Sequence, residues 1–417
     1  MNAPPASWSQ PVSRDPARVL VTAGLAIAAF VAVWFLIHHG FYRDSQIVDT
    51  PIYQRYGDAV AKGQVPYRDF ALEYPPGALP AFVIPAVLTP GTNGTDYRGV
   101  FEAEMVFCGA LVLTLMLSIL LRLEAGRART FGALAFAALA PLLIGSVVLS
   151  RFDLWPALLV VATLSALVSD RNRLGSAALG LAIAAKIYPA VLVPVLAVWV
   201  WRRAGRREAL VCLGVLGGVL LAVFLPFVAL SPHGVWHSLT TQTSRPLQIE
   251  TLGSGVLLVL HAAAGVGVTM QSSHGSQNLA GSGPDALAVL QTIAQAAAVI
   301  AVWIWFARGP ADRDRLVRAF AAAVCAFIAF GKVLSPQFLI WLVPLVPLVG
   351  GRRGLAAGGL LAAALVTTQL WFPFRYWDLV LHFRTFPSFM VLLRDLLLVA
   401  LFAALIWPFD RRRGTVP

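Results

Sequence analysis

Apolar runs of about 15–22 residues alternate with short arginine-rich clusters along almost the whole chain. The first run, Val19 to Ile37, is long enough to cross a hydrocarbon layer of roughly 30 Å as a helix. Further spans are expected at 101–121, 130–149, 153–168, 208–229, 285–306, 355–373 and 388–407. The clusters around them are Arg14/Arg18, Arg122/Arg127/Arg129, Arg171/Arg173, Arg202/Arg203/Arg206/Arg207, Arg313/Arg315/Arg318, Arg352/Arg353 and Arg411/Arg412/Arg413. Positive charge is retained on the cytoplasmic side of membrane proteins, so an even number of crossings must separate successive clusters.

That parity reads the ambiguous stretches. Pro75–Leu88 carries Pro75, Pro76, Pro80 and Pro85, and a third crossing there would put the Arg122 cluster outside. It is expected to be re-entrant or interfacial. Leu174–Trp201 is too long for one ordinary span and short for two, yet both flanks are basic. A tight hairpin turning on the outer side at Lys186-Ile187-Tyr188-Pro189 satisfies the rule. Ala319–Val349 is expected to turn in the same way near Lys332-Val333-Leu334-Ser335-Pro336-Gln337. Irregular backbone cannot face lipid, so the two turns are expected to line a shared cavity. The stretch 231–283 reads as a long outer loop, with a Gly/Ser-rich patch around Ser272–Gly283 and a short apolar, interfacial piece near Ser254–Val268. The fold class is thus an all-α polytopic membrane protein, a bundle of about 12 transmembrane helices. One transmembrane domain covers 19–410, with a first outer loop at 39–76, and the tails 1–18 and 411–417 lie in the cytoplasm.

Composition agrees. Of 417 residues, 58% are hydrophobic, and a soluble protein of this length could not hide that much apolar surface. The net charge of +12 comes from residues in short clusters rather than on a continuous basic surface, which fits membrane lipid and not nucleic acid as the partner. Cys108, Cys212 and Cys325 lie inside apolar runs without metal-ligand spacing and read as packing residues. The first run has no convincing cleavage site after it and is expected to stay as an anchor. No Walker-type loop, H-E-x-x-H or cysteine cluster occurs, so no ATP site, metal or other cofactor is expected. Asp312-Arg313-Asp314 spells D-x-D but belongs to an arginine-rich inner loop, and Asn93-Gly94-Thr95 is a low-specificity glycosylation sequon.

Only 12% of residues are charged, yet Asp44, Asp49, Asp58, Asp69 and Glu73 all follow the first span. Arg68, Arg151, Asp153, Lys186, His233, His237, Arg245, Glu250, Lys332, Arg375, Asp378, His382 and Arg384 also sort to the outer side. Ionisable groups are costly at membrane depth and mark function. A few carboxylates among several cations suit transfer of a group from an anionic leaving group: a carboxylate activates the nucleophile, and Arg, Lys or His hold a phosphate.

The order Asp49…Tyr53, Pro66-Tyr67-Arg68-Asp69-Phe70, Glu73-Tyr74-Pro75-Pro76 resembles the GT-C superfamily of glycosyltransferases. Within it the chain looks most like glycosyltransferase family 87, the polyprenol-phosphate-mannose-dependent mannosyltransferases. Arg151-Phe152-Asp153, Lys186-Ile187-Tyr188-Pro189, Arg245…Gln248…Glu250 and Lys332…Ser335-Pro336-Gln337 extend the resemblance over most of the chain. It implies a plasma-membrane enzyme with its site on the extracytoplasmic face. The implied donor is a sugar, mannose, on a polyprenyl phosphate, and the acceptor is a lipid-linked or cell-envelope glycan. The family's early acidic residue maps onto Asp49, the expected general base of an inverting transfer. Lys186, Arg245 and Lys332 are the expected phosphate-binding cations, with His233 and His237 as weaker ones. Tyr53, Glu73, Tyr74, Tyr188, Gln248, Glu250 and Gln337 are expected to contact sugar or acceptor, Tyr53 and Tyr74 by stacking.

Each role has a plainer rival. Asp49 before Pro51 could cap a helix. Arg68-Asp69 could be a local ion pair, Arg151 and Asp153 could anchor a span end, and the two lysines could snorkel to headgroups. For the whole chain the alternatives are a lipid or sugar transporter, which broken hairpins would also serve, and a non-catalytic assembly factor.

Overall fold

The computed structural model describes residues 10, 15–40, 47–91 and 94–407. Asp44, Asn93, Arg14 and Arg411–Arg413 therefore lie outside the described residues. The helices are α1 (Pro16–His39), α2 (Thr50–Ala61), α3 (Leu79–Leu88), α4 (Gly94–Arg122), α5 (Arg127–Ile144), α6 (Leu154–Val168), α7 (Asn172–Ala185) and α8 (Val193–Leu230). They continue with α9 (Pro232–Thr243), α10 (Leu252–Ala264), α11 (Ser282–Arg308), α12 (Arg313–Ala329), α13 (Gly351–Gln369), α14 (Tyr376–His382) and α15 (Thr385–Ile406). A single α-helical turn lies at Val147–Ser150, and short 3-10 turns occupy Pro76–Ala78, Tyr188–Leu192, Pro336–Trp341 and Val346–Leu348.

Helices that are apolar all round occupy the centre, and helices with one packed stripe face lipid. Almost every side chain of α6 is buried, and α12 is similar from Leu316 to Ala329. In α1 the buried residues Thr22, Ala26, Phe30, Val33, Trp34 and Ile37 form one stripe, while Leu20, Val21, Leu25, Phe35 and Leu36 point outward. Among the described residues six helical stretches are long and apolar enough to cross a membrane: Pro16–His39, Gly94–Arg122, Arg127–Ile144, Tyr188–Leu230, Ser282–Arg308 and Thr385–Ile406. The longest of these is two helices, because α8 breaks at Gly205 (φ 86°) within the Arg202–Arg207 cluster.

The expected irregular segments are present. Pro76–Leu88 is a 3-10 turn and a short helix, about 20 Å long at 1.5 Å per residue, too short to cross. Helix α7 ends at Lys186, whose extended backbone (φ −158°, ψ 142°) turns the chain into the Tyr188 3-10 turn. After α12 the chain passes Lys332 and continues as 3-10 turns rather than as a second α-helical arm.

The Gly/Ser-rich patch, read from sequence as loop, is a β-hairpin: β1 (Thr269–Ser273) pairs antiparallel with β2 (Ser276–Ala280). His274 and Gly275 make its two-residue turn with φ of 54° and 66°, the twist that a tight hairpin needs. Alternation of apolar and polar residues is weak there, so the pairing leaves little trace in the sequence.

The two ends of the bundle differ in charge. At one end Asp170 binds Arg203 (3.1 Å) and Arg313 (2.7 Å), and Arg129 binds Asp314 (2.8 Å). Helix α7, roughly 21 Å long, runs from that end to Lys186.

The turn before α3 rests on the last turn of α7. A Cβ on Gly77 would lie 2.5 Å from the Ala184 carbonyl carbon, and the Gly77 carbonyl accepts a hydrogen bond from Trp155 Nε1 at 3.0 Å. Gly77→Ala is expected to lower stability by about 1–3 kcal/mol, the usual cost of overpacking. Thermal unfolding in detergent checks this, and an unchanged midpoint would contradict the close packing.

Candidate active site

Asp49 opens α2, and Pro51 in the first turn fixes where that helix starts. Its main-chain carbonyl accepts from Ile52 N and Tyr53 N, but its side chain makes no capping bond. The carboxylate instead pairs through Oδ2 with Arg151 Nη1. The Tyr53 hydroxyl donates to the same oxygen at 3.5 Å. Among the described residues Oδ1 accepts no hydrogen bond. Arg151 also donates to the Ile47 carbonyl at 3.4 Å, tying the segment before Asp49 to the start of α6.

Two residues beyond Arg151, Asp153 is fully buried. Its Oδ1 accepts from Lys186 Nζ and from Trp341 Nε1, both at 2.6 Å. The Lys186 ammonium lies 4.8 Å from the ring centre of Phe152, 5.1 Å from that of Trp341 and 5.6 Å from that of Phe338. Cation–π attraction and one carboxylate thus hold a cation largely shielded from water. The two broken turns meet here: Tyr188 stacks on Trp341 with ring centres 3.8 Å apart.

A second cation–carboxylate pair closes the group. Arg245 Nη2 donates to Glu73 Oε1 at 2.6 Å and to the His274 carbonyl at 3.0 Å. Helix α9 lies across the first loop: Ser231 Oγ donates to the Tyr67 carbonyl (2.9 Å), and Gln242 Nε2 to the Glu73 carbonyl (3.2 Å). Gly234 permits this approach, since a Cβ there would sit 2.1 Å from the Tyr67 oxygen. Arg245 is near enough to Lys186, and Arg151 to Asp153 and Glu250, for their charges to act on one another. Asp49, Arg151, Asp153, Lys186, Arg245, Glu73 and Glu250 therefore form one electrostatic group. Asp49 and Glu73 are its more open members, with side chains 26% and 30% exposed.

Other expected site residues fall differently. Tyr53 is fully buried and stacks on Phe82 (4.6 Å), so it presents no face to a sugar; only its hydroxyl reaches Asp49. Tyr188 is likewise buried against Trp341 and has no exposed face for a sugar. Tyr74 is half-buried, edge-on to Tyr53 and Phe152. Gln248 and Glu250 are buried and joined at 3.2 Å, so they brace the site rather than line an open surface. Gln337 is half-buried, and its Oε1 has no hydrogen-bond partner among the described residues. Lys332 reaches the group through its main-chain carbonyl, which accepts from Gln248 N at 3.0 Å. His233 and His237 are exposed on α9 and stand outside the group. Arg68 and Asp69 form the plain local pair, two bonds of 2.9 Å; with the Val65 N–H they hold the Asp69 carboxyl down to about 2.

The sequence reading passed over Arg394 and Asp395. These adjacent charges in the middle of the apolar helix α15 are fully buried and paired at 2.6 Å. Arg394 Nη2 donates to the Glu250 carbonyl at 2.5 Å. Two charges inside a hydrocarbon run were the available signal.

Burial pushes the Glu250 carboxyl up to about 8. The folded chain therefore keeps a proton that the unfolded chain releases near the ordinary glutamate value of ~4.3. Between those values the folded state binds more protons, so stability falls as pH rises. The unfolding midpoint is expected to drop from about pH 5 to about pH 8, and Glu250→Gln is expected to flatten that slope. An unchanged slope in the variant would contradict the assignment.

The sequence profile of glycosyltransferase family 87 matches residues 72–336, well over half of the chain and including Glu73, Arg151, Asp153, Lys186, Arg245, Glu250 and Lys332. The chain belongs to glycosyltransferase family 87. This family-87 protein is therefore a membrane glycosyltransferase of the GT-C type rather than a transporter or a scaffold. Asp49 lies just before the matched segment. No curated protein matches the chain. Among solved structures it is similar to ArnT from Cupriavidus metallidurans bound to undecaprenyl phosphate, at 16% identity and a TM-score of 0.48, with 92% of this chain and 76% of that one covered.

Proposed function

We propose that the protein transfers mannose from polyprenyl phosphate to a lipid-linked or cell-envelope glycan, with Asp49 as general base. The observation that carries this reading is the single group formed by Asp49 and two cation–carboxylate pairs, the shielded Lys186–Asp153 and the more open Arg245–Glu73.

The chemistry balances as one displacement. The acceptor hydroxyl oxygen attacks the sugar C1, its proton passes to Asp49 Oδ1, and the bond from C1 to the phosphate oxygen breaks. Polyprenyl phosphate leaves with one more negative charge than the donor diester carried. Lys186 and Arg245 stabilise that developing charge, in surroundings where water is scarce and fixed cations act strongly. The leaving phosphate needs no strong acid. Arg151 orients the carboxylate of Asp49 through their ion pair.

The arginine clusters gather at the opposite end of the bundle from Asp49, and positive charge favours the cytoplasm. The active site accordingly opens on the extracytoplasmic face of the plasma membrane, and both termini are cytoplasmic.

The test is purified protein with radiolabelled polyprenyl-phosphate-mannose and a panel of lipid acceptors. One mannosylated lipid and an equal amount of polyprenyl phosphate are expected. Transfer only from arabinose or glucose donors would overturn mannose, and no transfer from any polyprenyl-phosphate sugar would overturn the reading.

A further inference from the structure

A cavity of about 410 Å³ lies far from the Asp49 group, at the arginine-rich end of the bundle. Arg129, Arg315, Arg318 and Arg353 line it, with Asp312, Asp314 and the backbone of Val349–Gly351. Each arginine belongs to the first two turns of a helix: Arg129 in α5, Arg315 and Arg318 in α12, Arg353 in α13. Helix N-termini carry partial positive charge and favour anions, so four guanidinium groups at three N-termini are the reverse of the usual arrangement.

The two lining carboxylates offset only part of the charge of the four arginines. Asp314 pairs with Arg129 from the solvent side and is 61% exposed. Asp312 Oδ1 accepts the Arg315 main-chain N–H, acting as a helix cap. The guanidinium groups of Arg315 and Arg318 are held over the Trp305 ring at 3.9 and 4.2 Å. The Nε atoms of Arg129, Arg315 and Arg318 are buried and have no hydrogen-bond partner among the described residues. Gly350 caps α13 without any side-chain bond to its first-turn N–H groups. Other donors are met inside the protein: Arg129 Nη2 donates to Asp314 Oδ1 and the Leu348 carbonyl, Arg315 Nη2 to the Trp305 carbonyl and Arg353 Nη2 to the Trp407 carbonyl. Guanidinium groups fixed in this way around a cavity of this size, with the Nε donors of Arg129, Arg315 and Arg318 unmet, match a tetrahedral anion, which arginine binds by paired hydrogen bonds. The tryptophan beneath the arginines suits the depth of a membrane interface.

We propose that this cavity binds a phosphate group, that of an anionic phospholipid in the leaflet opposite the active site or of soluble phosphate. In either case the bound anion neutralises the converging ends of α5, α12 and α13 and holds them together.

Native mass spectrometry of the full-length protein in neutral detergent tests this, with phosphatidylglycerol, phosphatidylcholine and inorganic phosphate as separate probes. Phosphatidylglycerol is expected to be retained, to bind about tenfold more weakly in Arg318→Gln and in Arg353→Gln, and to be unaffected by Arg171→Gln, an exposed arginine at the same end. Retention of inorganic phosphate with the same dependence on Arg318, without retained lipid, assigns the site to the soluble anion. Should one variant fail to fold, the other carries the test. Binding equal to wild type in both variants, equal loss in Arg171→Gln, or equal retention of phosphatidylcholine would overturn the proposal.

Discussion

Asp49→Asn is expected to leave the protein folded and membrane-inserted while lowering turnover by about 10²–10⁴-fold, the range ascribed to a general base. The substitution keeps the shape of the side chain, and its amide oxygen can still accept from Arg151 and Tyr53, the two groups that meet Asp49 Oδ2. It removes the negative charge and most of the proton affinity. Because the donor phosphate is assigned to Lys186 and Arg245, donor affinity should change little and the loss should fall on kcat. Size-exclusion behaviour and donor binding establish that the variant is intact, and a transfer assay measures the loss. Turnover like that of the wild type would remove Asp49 from the mechanism.

The second large effect concerns Asp153. Its carboxylate is fully buried and accepts from both Lys186 and Trp341. Asp153→Ala leaves a shielded ammonium without its counter-charge and an indole N–H without an acceptor. Breaking a buried pair from one side costs about 3–5 kcal/mol, so a sharply lower unfolding midpoint or loss of folded protein is expected. Removing both charges is a different case, because well-packed apolar replacements of buried pairs are often neutral. Asp153→Leu with Lys186→Met should therefore recover much of the stability yet remain inactive, since the cation assigned to the leaving phosphate is gone. Recovery of transfer in that double variant would show that Lys186 serves only the fold.

Much of this arrangement was legible in the chain. Basic clusters marked the end of the bundle where Asp170 meets Arg203 and Arg313, and the prolines marked Pro76–Leu88 as a 3-10 turn and a short helix. A lysine before a proline marked both broken turns, which meet where Tyr188 stacks on Trp341. What the sequence could not supply was partnership. Arg151 and Asp153 are two residues apart, yet one pairs with Asp49 across about 100 residues of chain and the other with Lys186. Tyr53 was read as a sugar platform because aromatic residues serve both cores and binding faces; the surrounding Phe82, Phe101 and Phe152 make it core. The β1–β2 hairpin escaped because polar strands lack the alternation that betrays a half-buried sheet. Its turn nevertheless matters, since the His274 carbonyl helps to hold Arg245.

The central claim is tested most directly by a structure of the Asp49→Asn protein with polyprenyl-phosphate-mannose bound and uncleaved. The account predicts the phosphate within hydrogen-bonding reach of Lys186 Nζ and the Arg245 guanidinium, with C1 of the sugar facing side chain 49. A phosphate seated in the arginine-lined cavity at the other end of the bundle, or a sugar held away from residue 49, would contradict it.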